Sequence, residues 1–261
     1  MPTIAHVSDL HIGKSAANDE AARALAQALL AARVDEVLVS GDVTHRGRVE
    51  ELRTFRRLFA PLRDRVALVP GNHDRLGDDA GRWMMAGRVQ VRAGEGLHLV
   101  RVDSTAPHNR HSLLDGHGEL SHGDVAQVEE ALAVAAPGAL TVVMLHHHLH
   151  ELPEDGFWER VSTRLGWPNA GELALGEHLL GRLLGRCDLV LHGHRHATSE
   201  STLALGSARP LRIFNAGASP ELGRVRVLRH GGGRLRAVGW LDCRDWARQA
   251  LAWEEGAPAA A

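Results

Sequence analysis

The most constraining feature of this sequence is a repeated junction, at which a short apolar run stops in a block of Asp, His or Asn side chains and an amphipathic stretch follows. "TIAHVSDLHIG" gives way to "NDEAARALAQALLAAR", where Asn18 is placed as a helix cap ahead of acids in the first turn and helical apolar spacing. "VDEVLVSGD" and the amphipathic "VEELRTFRRLFAPL" repeat the pattern, and "RVALVPGNHD" adds a third strand. Strands alternating with helices imply an α/β chain with parallel strands joined by crossover helices. In open sheets of that kind the working residues sit in loops at the carboxyl ends of the strands. "DLHIG", "GDVTHRG" and "GNHD" each follow a predicted strand and are therefore expected to converge on one sheet edge.

The rest of the chain continues the pattern and then departs from it. "LHLVRVDS" reads as a strand, and "SHGDVAQVEEALAVAA" as a helix whose Ser121 and Asp124 have capping-box spacing. "TVVMLHHHLH" is a strand that runs into three consecutive histidines and then a fourth. From Leu149 to Asn169 the pattern is irregular around Trp158 and Trp167, which predicts an excursion near the site. A helix over "ELALGEHLLGRLLGR" leads to the strand of "CDLVLHGHRHAT". "STLAL", "RPLRIFNAGAS", "RVRVLRH" and "RLRAVGW" then read as antiparallel hairpins, the last two joined by "GGG". A helix over "CRDWARQALAWEE" is expected to close the chain. With no internal repeat and no linker, residues 1–255 are expected to form one domain, with 256–261 a frayed tail.

Composition removes several function classes. The formal net charge of -2 gives no overall field for nucleic acid or an acidic membrane surface. The two cysteines, Cys187 and Cys243, form no C-x-x-C pair, against a disulfide framework or thiolate zinc site. No leader pattern opens the chain and no run approaches the roughly 18 apolar residues of a spanning helix, so the expected location is the cytoplasm. Histidine is the outlier: 18 residues, against no tyrosine.

Those histidines have partners of a particular kind. The strand-end donors are Asp9 and His11, Asp42, Asn72 and His73, His146, and His194 and His196. Oxygen and imidazole without thiolate favours manganese, iron, zinc or cobalt over copper(I) or iron–sulfur chemistry. A central carboxylate could bridge two cations about 3.5–4 Å apart, the arrangement that stabilises both attacking and leaving oxygens in displacement at phosphorus.

The ordered blocks D9-L-H11, G41-D42, G71-N72-H73-D74, H146 and G193-H194-R195-H196 resemble the calcineurin-like metallophosphoesterase superfamily. The resemblance runs from about Ile4 to Gly217, including "NAGAS". It implies a four-layer α/β/β/α sandwich of two mixed sheets, and two divalent or mixed-valence ions, manganese and/or iron, with zinc, cobalt or nickel as alternatives. Asp9, His11 and His196 would hold one ion, Asp42 would bridge, and Asn72, His146 and His194 would complete the other site. The implied reaction is hydrolysis of a small phosphorylated substrate by a hydroxide held between the ions. His73 would stabilise the transition state or protonate the leaving oxygen, and Asp74 would orient His73. The order is most similar to bacterial members that include class III cyclic-nucleotide phosphodiesterases. A phosphomonoesterase, a nucleotide pyrophosphatase, a nuclease and a non-catalytic scaffold of the same fold are the alternatives. Nucleic acid is not an expected partner, and the oligomeric state stays open, a dimer included.

Other side chains read more plainly. His147, His148 and His150 are expected beside the site, in hydrogen bonds or substrate contacts, with His146 as the ligand. His192 is expected inside the sheet, and His45 stands where many superfamily members have an acid. His108, Asn109, Arg110 and His111 are candidates for leaving-group contacts. The arginines of "VRVLRHGGGRLRAV" are expected on a solvated sheet face, and Cys187 in the core.

Overall fold

A computed structural model describes residues 1–111, 116–149 and 173–244, and the backbone of 252–253. Its first sheet begins with β1 (Thr3–Val7), β2 (Glu36–Val39) and β3 (Val66–Leu68), mutually parallel, as the alternation predicts. Helix α1 (Ala16–Ala31) connects the first pair and α2 (Val49–Leu58) the second. On the other side of β1 the sheet continues antiparallel through β12 (Arg224–Gly231), β13 (Arg234–Asp242) and β14 (Ala252–Trp253). The second sheet has four parallel central strands, β5 (Leu97–Val102), β7 (Leu140–Met144), β9 (Leu189–His192) and β11 (Leu211–Asn215). Antiparallel β4 (Val89–Gly94) and β10 (Ser199–Leu203) form its edges. A minor pair joins β6 (Gly118–Glu119) to β8 (Leu173–Ala174).

Strand alternation divides the apolar side chains among three layers. Ala5, Val7, Val37 and Val39 pack outward on Leu25 and Leu29 of α1 and Phe55 of α2. Ile4 and Leu38 point the other way and meet Leu99, Val142, Leu191 and Phe214 between the sheets. Val100, Val143, Val190 and Ile213 cover the far face of the second sheet, against α3 (His122–Ala133) and α4 (Gly176–Leu183). Helix, sheet, sheet, helix is thus the four-layer sandwich anticipated above. Each fully buried Val, Leu or Ile contributes roughly 1.5–3 kcal/mol of transfer free energy to it.

The local signals held unevenly. Ser121 Oγ accepts from the Asp124 amide at 3.1 Å while Asp124 Oδ2 accepts from the Ser121 amide at 2.8 Å, closing the predicted capping box. Helix α1 begins earlier than expected: Ser15 is its cap, accepting from the Asn18 amide. The Asn18 side chain instead donates to the carbonyls of Leu10 and His11, at 2.7 and 3.0 Å, and so ties the helix to the first motif. Leu173–Ala174 is strand, and the helix predicted there starts only at Gly176, after Leu175 turns at φ +63°. Ala252–Trp253 is strand where a helix was expected, because it can pair with the free edge of β13. The hairpin of β4 and β5 escaped the sequence, although the alternating Val89 and Val91 ahead of Gly94-Glu95-Gly96 were its signal.

Arg226 departs from the solvated face. It is 4% exposed, lies over the rings of Phe214 and Trp240, and pairs with Glu200 at 3.2 Å. Cys187 is buried and unpaired with Cys243, and burial pushes its thiol up to about 12. His150, the excursion of 150–169, and positions 245–251 and 254–261 lie outside the described residues. No helix among the described residues is long and apolar enough to cross a membrane.

Candidate metal centre

Strand ends place the motif residues. Asp9 and His11 follow β1, Asp42 follows β2, Asn72 and His73 follow β3, His146 follows β7, and His194 and His196 follow β9. The expected convergence therefore occurs, and it joins two sheets rather than one. Backbone bonds stitch the turns together: Asp9 N–H donates to Gly41 O at 3.1 Å, His11 N–H to Asp42 O at 2.9 Å, and Gly193 N–H to His146 O at 3.1 Å. Asp9, His11, Asp42 and His194 all have left-handed backbones, at φ +53°, +43°, +49° and +71°. Such conformations are costly for residues with a Cβ and persist where the surroundings enforce them, most often at functional sites. Gly41 shows how close the packing is, since at φ +101° a Cβ there would fall 2.3 Å from His146 Nδ1.

The donors form two sets around Asp42. In the first, His11 Nε2 lies 3.2 Å from His196 Nε2, and Asp9 Oδ1 lies 4.0 and 3.8 Å from those two atoms. In the second, Asn72 Oδ1 lies 3.1 Å from both His146 Nε2 and His194 Nδ1, which are 3.2 Å apart. Asp42 Oδ2 is 3.8 Å from His11 Nε2 and 3.5 Å from His146 Nε2, within reach of both sets. His146 Nδ1–H donates to the Ser40 carbonyl at 2.8 Å, which turns Nε2 inward. Each set draws on both sheets, with Asp9 and His11 facing His196, and Asn72 facing His146 and His194.

This arrangement fits metal ions. The donors of the second set, 3.1–3.2 Å apart, and the His11–His196 pair at 3.2 Å are spaced as atoms that could share one cation, while Asp9 Oδ1 stands farther off at 3.8 and 4.0 Å. Asp9 Oδ1 is buried without a hydrogen-bond partner, an expensive state for a carboxylate oxygen unless a cation faces it. Asp9, His11 and His196, and separately Asp9, Asp42 and His146, are groups whose ligand atoms lie within 4.8 Å of one another.

Burial and neighbouring charges pull the donors in opposite directions. Burial lifts the Asp9 carboxyl to about 6, against the attraction of His146. Burial would also raise Asp42, but the charge and hydrogen bond of His146, then His73 and His11, hold it well below the usual carboxylate range. Burial opposes protonation of His146, yet Asp42 and Asp9 raise it to about 9. Burial lowers His11 to about 3. Asp42 and Asp9 thus create a field at His146 that favours positive charge.

His73 sits at the open side, its side chain 21% exposed and its Nε2 4.0 Å from Asp42 Oδ2. Its ring is oriented by the His45 carbonyl, which accepts from Nδ1–H at 2.9 Å. The pairing expected from Asp74 is replaced by another. Asp74 is buried and accepts from the amides of Gly71, Val43 and Thr44 at 2.8, 3.2 and 2.8 Å, and from the Thr44 hydroxyl at 2.6 Å. Four donors consume its lone pairs, so it joins the second and third motifs instead of holding the imidazole.

Residues 2–198 match the family model of calcineurin-like phosphoesterases. The chain belongs to that family. Among curated relatives of this calcineurin-like phosphoesterase, a probable cyclic nucleotide phosphodiesterase of Vesicomyosocius okutanii is 22% identical over 171 residues, covering 64% of each protein. A glycerophosphodiester phosphodiesterase of Enterobacter lignolyticus is 37% identical over 171 residues, covering 55% of this chain and 56% of the relative. Each match thus spans less than two thirds of the relative's length. A dimetal phosphatase from Danio rerio superposes with a TM-score of 0.67 at 11% identity, covering 92% of this chain and 98% of that one. A purple acid phosphatase from yellow lupin superposes with 0.64 at 13% identity, covering 97% and 53%. Both structural likenesses concern the fold.

The neighbours of the motifs fall into place around the two donor sets. His147, His148 and His192 are buried beside it. Of the candidate leaving-group contacts, Asn109 is fully buried and bonds within its own loop, and Arg110 pairs with Asp79 at 2.7 Å. Ser104, which follows β5 and accepts from the His146 amide at 3.3 Å, was missed. The strand-end rule would have found it if applied to "LHLVRVDS".

Proposed function

We propose that this chain hydrolyses phosphoric diesters with the help of two metal ions. The observation that carries the reading is the position of Asp42, whose Oδ2 stands 3.8 Å from His11 Nε2 and 3.5 Å from His146 Nε2, between two sets of donors. Asp9, His11 and His196 would hold one ion, Asn72, His146 and His194 the other, with Asp42 shared. Manganese or iron suits oxygen and imidazole donors, with zinc, cobalt or nickel as substitutes. Two such cations would supply charge stabilisation to the attacking and leaving oxygens and acidify a water.

The chain's own side chains complete the chemistry. Because the His45 carbonyl holds Nδ1–H of His73, Nε2 is the atom left to meet a substrate, and partial exposure makes it accessible. In that position it would donate a hydrogen bond or proton to the departing ester oxygen. Asp74 fixes the turns that carry Asp42 and Asn72. Both curated relatives bear the names of diesterases, which supports a small organic diester over a monoester.

The test is turnover of bis(p-nitrophenyl) phosphate by metal-stripped protein with and without added manganese, alongside Asp42→Ala. Manganese-dependent hydrolysis that Asp42→Ala abolishes together with metal binding is the expected result. Hydrolysis indifferent to manganese, or untouched in Asp42→Ala, would refute the proposal. A preference for p-nitrophenyl phosphate would move it to the monoesterases.

A further inference from the structure

We infer that His147 is a positioning residue, which anchors the chain at Gly116–Gly118 against the second set of donors and thereby sets how tightly an ester is held. The inference rests on the phosphoesterase reading above. His147 follows His146 and is fully buried, and both of its ring nitrogens are engaged. Nε2 lies 2.9 Å from the Gly116 carbonyl and Nδ1 lies 2.8 Å from Ser104 Oγ. A carbonyl only accepts, so Nε2 carries the hydrogen and Nδ1 accepts from the Ser104 hydroxyl. That assignment leaves no lone pair for a cation, although His147, His146 and His194 have ligand atoms within 4.8 Å of one another.

The anchored segment borders the donors directly. A Cβ at Gly116 would lie 3.2 Å from Asn72 Nδ2 and 3.3 Å from His194 Cε1. At Gly118 a Cβ would lie 2.5 Å from Ser104 O and 2.6 Å from His147 Cγ, so backbone meets ring with no side chain between. Between these glycines, the half-buried His117 lies against His108 with ring centroids 3.9 Å apart and planes tilted by 34°, and its carbonyl accepts from Asn109 at 3.2 Å. Ser104 closes the circuit, because its hydroxyl oxygen also accepts from the amides of His146 and His147, each at 3.3 Å. One imidazole thus connects the strand end that presents His146 to the segment that presents His117. Its loss should loosen the grip on the organic part of an ester while leaving ions and chemistry in place.

The experiment compares His147→Leu, His147→Gln and Ser104→Ala with the unmodified chain. The readings are manganese stoichiometry, amide hydrogen exchange over residues 116–120, and kcat and KM on bis(p-nitrophenyl) phosphate. All three variants should bind as much manganese as the unmodified chain. In His147→Leu exchange should quicken and KM rise about five- to tenfold, the fold-change of one lost hydrogen bond, with kcat within about twofold. His147→Gln keeps an N–H donor near the place of Nε2 and should restore both. Loss of an ion in His147→Leu, unchanged exchange, or a fall in kcat at constant KM would overturn the inference. If His147→Leu does not fold, Ser104→Ala decides, since unaltered exchange and KM there are equally fatal. If the unmodified chain has no manganese-dependent turnover, the proposed function fails, while stoichiometry and exchange still decide the anchoring.

Discussion

Replacing Gly41 by Ala tests whether close backbone approach, rather than donor identity alone, builds this site. The added methyl would enter at φ +101° and fall 2.3 Å from Nδ1, 2.7 Å from Cγ and 2.9 Å from Cβ of His146. That ring cannot simply withdraw, because Nδ1 is held at 2.8 Å by the Ser40 carbonyl and the side chain is fully buried. The left-handed conformation costs about 1–2 kcal/mol once a Cβ is present. Forcing extra volume into a packed region costs about 1–3 kcal/mol more. Gly138→Ala is the control, since its φ of +78° carries the first cost while nothing lies within 4 Å to cause the second. Urea unfolding of the metal-free proteins should therefore place Gly41→Ala about 1–3 kcal/mol below Gly138→Ala. Where the methyl displaces the His146 ring, manganese affinity should weaken by roughly five- to 150-fold, the same energy expressed in binding. Equal stability and equal manganese affinity in the two variants would show that contact with His146 is not what demands glycine.

Three further outcomes follow from the same geometry. Asp74→Asn places an amide among four donors and should cost about 2–4 kcal/mol in urea unfolding, whereas a change under about 0.5 kcal/mol would mean the motifs are joined otherwise. His73→Asn should lower kcat on bis(p-nitrophenyl) phosphate by about 10²- to 10⁴-fold with manganese stoichiometry intact, and loss of an ion would place His73 among the ligands. His6 is buried beside Ser40 Oγ at 3.0 Å, and burial, then His192 and Arg226, hold its pKa well below 6.5. The unfolded chain therefore takes up that proton first, so the stability from neutral His6 is complete above about pH 6.5 and is lost as pH falls below it. One such proton contributes a slope of up to about 1.4 kcal/mol per pH unit. In metal-free protein His6→Asn should flatten the dependence by that amount, and an unchanged slope would refute the assignment.

Much of the architecture was legible because strand alternation and helical spacing are local, and the strand-end rule converts them into a place where donors meet. That rule gathers Asp9, Asp42 and Asn72 at strand ends, and singling out His146 from the histidines after it also took the order of the motif blocks. What escaped depended on partners distant in sequence. Asn18 has the chemistry of a helix cap, but the carbonyls of Leu10 and His11 compete for its amide and Ser15 takes the cap. Asp74 adjoins His73 in sequence, yet Thr44 and Val43 lie closer to its carboxylate in space. Arg226 looked solvent-facing from the alternation of its hairpin, and only the fold supplies Phe214, Trp240 and Glu200 around it. The edge pairing of Ala252–Trp253 had no local signal, since an unfilled strand edge is a property of the assembled sheet.

Because each donor set spans both sheets, a bound ion would act as a cross-link between the halves of the sandwich. Ligand-competent geometry then exists only after the β1–β3 unit and the β7–β9 unit have docked. Metal uptake would then report that the two units have come together. During gradual unfolding, ion release should precede loss of secondary structure, and chelation should lower the resistance of the sheets to being pulled apart more than it lowers the stability of either sheet.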